Sequence, residues 1–144
     1  MEQGLAAWQA AGAKAFAPGR MGLYGRMCLE AGQLDRARQV LTDGERLAEE
    51  TGEIFWLTEI HRYLGALTVA EDGDPAMAED YFRRALDAAE AREAYGFALR
   101  AAIDLARHLE GDGRSAEGLA IVSGILAHFD ADDDGADLRA ARAL

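Results

Sequence analysis

One cysteine, two prolines and no asparagine occur in this chain. A single thiol, Cys28, cannot close an internal disulfide, so the expected setting is reducing and cytoplasmic. With two prolines the chain has few hard breakers, and Val, Ile and Thr are too sparse to build a sheet. Alanine dominates an apolar half, so an all-α fold is expected. Positive charge is also short: 15 Lys and Arg stand against 26 Asp and Glu, a net charge of -11. That balance argues against a non-specific nucleic-acid surface and against anionic membranes. No apolar run approaches the ~20 residues that span a bilayer. The first residues lack the charged-then-apolar order of a secretory signal. There is no Gly-rich phosphate loop, no GxSxG and no HExxH, and His61, His108 and His128 are far apart. No catalytic site, metal site or cofactor is therefore expected.

What is present is helical periodicity, clearest between residues 53 and 91. Asp74 is placed to cap a helix and Pro75 suits its first position, where no amide partner is needed. Apolar residues follow at Ala78, Tyr81, Phe82, Ala85, Leu86 and Ala89, one helical stripe. Glu79 with Arg83, and Asp80 with Arg84, form i,i+4 pairs opposite it. The preceding helix carries Ile54, Leu57, Ile60, Leu64 and Leu67 on one side. Gly65 lies in its interior at a cost of about 1 kcal/mol against alanine. A helix crossing close to the backbone, with Ala78 as the opposing small residue, accounts for it.

Weaker copies of this hairpin flank it. Residues 2–16 read as a helix through Leu5, Trp8, Ala11, Ala15 and Phe16, with Pro18 and Gly19 breaking and restarting the chain. Helices are expected over 20–31 and 34–50, with a stop at Thr51-Gly52, then over 97–109 and 115–129 around a Gly111-Asp112-Gly113 turn. An acidic turn at 130–135 leads into a last helix at 136–144. The units are thus 1–17, an unpaired helix, hairpins over 19–52, 53–92 and 95–129, and a terminal helix over 135–144, about seven or eight helices in one domain. Small residues recur at Gly25, Gly65 and Ala106, 40 and 41 apart, and at Ala37, Ala78 and Gly118, 41 and 40 apart. Bulky residues stand four later, at Leu41, Phe82 and Val122.

This small–turn–small spacing resembles the tetratricopeptide repeat (TPR), whose hairpins stack into a right-handed superhelix. Gly65, Ala78, Phe82, Ala85 and Leu86 form the best-matching copy, and the period near 40 implies longer helices than usual. The strings Thr51-Gly52-Glu53, Glu59-Ile60-His61-Arg62, Ala78-Glu79 through Ala85-Leu86, and Leu99-Arg100-Ala101-Ala102 with Leu105-Ala106-Arg107 are similar to the C-terminal TPR tail of multidomain bacterial signalling proteins. Those proteins carry a cyclase or DNA-binding head and a signal-transduction ATPase before the tail. The sequence departs from that pattern at Glu93-Ala94, where a glycine helix stop is usual.

The resemblance implies a concave face lined by the first helix of each hairpin. It places Arg26, Arg62, Tyr63, Asp104 and Arg107 there, with Glu59 and Arg100 nearby. Arginine binds carboxylate or phosphate bidentately, so recurrent arginine in an acidic chain points to ligand recognition. The competing reading is ordinary ion pairing, Arg100 with Asp104 for instance. A carboxylate clamp for chaperone tails needs Lys and Asn there and is not expected. His61 reads as a packing residue or a pocket wall, and Cys28 as a buried inert thiol. Asp130, Asp132, Asp134 and Gly135 open like a calcium loop, but Ala141 stands where the bidentate Glu belongs, so the loop reads as a solvated turn.

These readings imply a non-catalytic interaction or regulatory module that binds a protein or peptide in its groove. The unpaired N-terminal helix suggests a homodimer through its exposed apolar face. The alternative is a sensor of a small-molecule effector, marked by a deep pocket of His61, Arg62 and Tyr63.

Overall fold

A computed structural model describes residues 16–144 as helices and turns, with no strand among the described residues. The helix expected over 2–16, and the dimer contact placed on it, lie outside the described residues apart from Phe16. The elements are α1 (Ala17–Glu30), α2 (Leu34–Thr51), a 3-10 turn (Ile54–Trp56), α3 (Leu57–Ala70), α4 (Pro75–Glu90), α5 (Tyr95–Gly111), α6 (Ser115–Leu126) and α7 (Ala136–Arg142). Among the described residues, no helix is long and apolar enough to cross a membrane.

Local chemistry sets most of these boundaries. The Asp74 carboxylate accepts a hydrogen bond of 2.9 Å from the Ala76 amide, with Pro75 at the first helical position. Gly52 closes α2 at φ 73°, a left-handed conformation that costs glycine little. Helix α1 starts at Ala17 rather than at Arg20, with Pro18 in its first turn, where its missing amide leaves no orphan donor. Ile54 leaves the apolar stripe of α3, because the chain takes a 3-10 turn there and exposes it. The third hairpin is shifted: α5 begins at Tyr95 and α6 ends at Leu126. Between α4 and α5, Glu93 adopts φ 55° and the Ala94 amide returns to the Ala89 carbonyl at 2.9 Å. A Glu therefore makes the left-handed helix stop, a conformation more often taken by glycine.

Consecutive helices pack as neighbours, α1 on α2, α3 on α4 and α5 on α6, with α2 against α3 and α4 against α5. A second set of contacts joins the odd-numbered helices, α1 to α3, α3 to α5 and α5 to α7. The even-numbered helices are bridged by ion pairs. Glu45 of α2 meets Arg84 of α4 at 3.1 Å, and Arg83 of α4 meets Glu117 of α6 at 2.6 Å. Arg84 therefore turns to α2 rather than to Asp80 on its own helix, whereas Glu79 and Arg83 pair at 2.7 Å.

The core falls into two clusters. One gathers Cys28, Ala37, Leu41, Ile60, Leu64 and Leu67 from α1 to α3. The other runs from α4 to α7 and includes Phe82, Ala85, Leu99, Leu105, Leu109, Val122 and Leu138. The small residues sit where helices approach most closely. A Cβ added to Gly25 would lie 2.4 Å from Leu41 Cδ2, and one added to Gly65 would lie 2.7 Å from Phe82 Cε1. The close neighbour of Gly65 is thus the Phe82 ring rather than Ala78, which is itself buried. In the third hairpin the roles reverse. Ala106 stands on the first helix, and a Cβ on Gly118 would meet the Ala106 Cα at 2.8 Å, a backbone-to-backbone approach.

Candidate functional site

The odd-numbered helices enclose an open groove of about 480 Å³. Arg26, Leu29 and Glu30 reach it from α1, Glu59, Arg62, Tyr63 and Ala66 from α3, Arg100 and Asp104 from α5, and Asp137 from α7. These positions follow from helical spacing. Residues 26 and 30, 59, 62, 63 and 66, and 100 and 104 each recur at three or four, so each set shares one helix face.

Six of the seven residues expected from the sequence converge on this groove: Arg26, Glu59, Arg62, Tyr63, Arg100 and Asp104. Arg107 does not. It is exposed, outside the lining, and among the described residues it makes no hydrogen bond or ion pair, although its charge acts on Asp104. Glu30 and Asp137 line the groove without having been expected. Glu30 was legible as the i,i+4 partner of Arg26, whereas Asp137 follows the acidic turn, beyond the repeated spacing, and only the packing of α7 on α5 brings it in.

The centre is a compact ionic cluster. Arg62 Nη1 donates to Asp104 Oδ2 at 3.2 Å and Nη2 donates to Glu59 Oε2 at 3.3 Å. The Tyr63 hydroxyl donates to the same Glu59 oxygen at 2.9 Å. Arg62 Nε and Glu59 Oε1 lie 3.2 Å apart but misaligned, so both are buried without a hydrogen bond. The Arg62 and Glu59 side chains are only 15% and 14% exposed, which strengthens the attraction between them and raises the cost of breaking it. Arg62 also lies 5.0 Å from the centre of the Tyr63 ring.

At the rims, Arg26 Nε donates to Glu30 at 2.7 Å and Arg100 Nε donates to Asp137 at 2.7 Å. Arg26, Arg62 and Arg100 are all ion-paired, as the competing reading had it, but Arg100 pairs with Asp137 rather than with Asp104, which Arg62 engages from the neighbouring helix. Burial raises the Asp104 carboxyl above its ordinary value, against the opposing pull of Arg62 and Arg107. Burial, reinforced by the Glu59 carboxylate, pushes the Tyr63 phenol up.

His61 faces away from this groove. Its Nε2 donates to Glu45 Oε1 at 2.9 Å, and Glu45 also accepts from Arg84. Nδ1 is buried without a partner, which suits a neutral ring carrying its proton on Nε2. Burial, aided by the Arg84 charge, lowers the imidazole below its ordinary value in spite of Glu45. His61 therefore does not share a pocket with Arg62 and Tyr63; it leaves α3 on the side that meets Glu45 of α2.

Cys28 is 3% exposed within the apolar cluster. The acidic turn is organised by its own neighbours: Arg139 Nη1 meets Asp134 Oδ1 at 2.9 Å, and Arg142 donates to the carbonyls of Asp133 and Asp130. Among the described residues, no group of three or more His, Cys, Asp or Glu side chains is arranged to hold a metal ion. None of the family models matches the chain, and neither a curated protein nor a solved structure matches it.

Proposed function

We propose that the chain is a non-catalytic interaction module, a TPR-like stack of helix hairpins with a period near 40, that holds a segment of a partner protein in the groove of its odd-numbered helices. The observation that carries this reading is the origin of the groove: α1, α3, α5 and α7 each contribute charged side chains to one continuous surface. A stacked-hairpin architecture is supported by equivalent residues in equivalent roles. Gly25 lies under Leu41 and Gly65 under Phe82. The likeness to bacterial signalling tails suggests a cytoplasmic regulatory setting, in which the partner is a signalling protein or a peptide from one.

The rim ion pairs provide the test, because Arg26 with Glu30 and Arg100 with Asp137 are half-exposed, although Arg100 also lies 4.0 Å from Glu59. Two double variants reverse the rim charge in opposite senses, Arg26→Glu/Arg100→Glu and Glu30→Lys/Asp137→Lys, and one of them is expected to release a partner that the native chain captures from lysate while both remain folded. A partner retained by both variants as firmly as by the native chain points to the outer helices and sinks the groove reading.

A further inference from the structure

The chemistry of the groove also selects its occupant. This inference rests on the groove being a binding site and concerns what the site prefers. Three arginines face four carboxylates there, so the lining carries one uncompensated negative charge. At the centre the Arg62 guanidinium is shared by Glu59 and Asp104, with Arg100 4.0 Å from Glu59 and the charge of Arg107 acting on Asp104 from outside the lining. Glu59 is the better supplied of the two, with Tyr63 and Arg62 on one oxygen and Arg100 at 4.0 Å. Asp104 receives one hydrogen bond, on Oδ2, and its Oδ1 accepts none among the described residues. Its side chain remains 28% exposed, so that oxygen is reachable from the groove. The rim arginines already hold carboxylates through Nε and do not create an anion cradle.

We propose that the groove recognises a cationic side chain, Lys or Arg, presented by a peptide segment, with Asp104 as its principal acceptor. The ammonium or guanidinium lies against Asp104 Oδ1, where it neutralises the excess charge and supplies the missing hydrogen bond. Tyr63 and Ala66 offer the stem of such a side chain an aromatic ring and a small apolar surface. Arg107 neighbours Asp104 but lies outside the lining and does not occupy this position.

Selection of a displayed library of random 12-residue peptides on the whole chain, at physiological salt, tests this. Enriched peptides are expected to share a Lys or Arg. Their synthetic fluorescein-labelled forms should lose about tenfold or more in affinity on Asp104→Asn, the scale of one charge-assisted hydrogen bond. The outer-face control Glu90→Gln should change nothing, which separates site binding from attraction to an acidic surface. If Asp104→Asn melts early, Glu30→Gln at the exposed rim removes the same charge and is expected to weaken binding about threefold. Enriched peptides that are acidic, and that are lost on Arg26→Glu/Arg100→Glu, overturn cation recognition and leave the groove as a binding site. Peptides indifferent to every groove substitution, or no enriched peptide, overturn both.

Discussion

Glu93 holds φ 55° at the stop between α4 and α5, a conformation that strains a residue with a Cβ by roughly 1–2 kcal/mol. Replacing it with glycine removes that strain and adds some freedom to the unfolded chain. Glu93→Gly is therefore expected to raise stability by about 0.5–1 kcal/mol, read as an increase in denaturation midpoint. A lowered midpoint would contradict the strain argument. His61 gives a second test. Its folded pKa lies below the ordinary 6.5, so as the pH falls the unfolded chain takes up a proton before the folded one does. Its neutral form is accommodated above about pH 6.5, and stability drains away below it. His61→Gln, which keeps a donor for Glu45, should flatten that acidic slope in denaturant titrations; an unchanged slope assigns it to other groups. Cys28, buried in its apolar cluster, is expected to stay unreactive to thiol reagents until the chain unfolds.

Two glycines of α6 show how an element is specified by what it touches. A Cβ on Gly118 would press on the Ala106 backbone, whereas one on Gly124 meets nothing within 4 Å. Gly124→Ala should therefore gain up to about 1 kcal/mol from helix propensity. Gly118→Ala should lose about 1–3 kcal/mol by forcing α5 and α6 apart. Equal effects of the two changes would show that the close approach is unimportant. The helices themselves were legible because their caps and stripes are local: Asp74-Pro75, Gly52 and the Ala78-to-Ala89 stripe need no distant partner. The start of α5 was not, because Glu93 gives no local signal for a left-handed turn. Six of the side chains that share the groove were among those the resemblance implied, whereas Arg107 lies outside it and Asp137 was not foreseen. Their pairings could not be read, since Arg62 reaches Asp104 and Arg84 reaches Glu45 across helices, and sequence offers only the i,i+4 choice.

For the whole molecule, the central cluster links binding to stability. Arg62→Ala leaves Glu59 and Asp104 facing each other half-buried, and a loss of about 3 kcal/mol is expected from equilibrium unfolding. Substitution of the rim arginines should cost far less, since exposed pairs contribute about 0–1 kcal/mol. A comparable loss at the rim would show that the cluster is not the stronger of the two. The position of Arg62 has a mechanical side as well. It stands on α3 and Asp104 stands on α5, so their ion pair is a tie rod between these two helices beside their direct packing. Whatever draws Asp104 away slackens that rod. An occupant of the groove that engages Asp104 thus meets the same carboxylate that couples α3 to α5, and binding there bears on how firmly those two helices are held together.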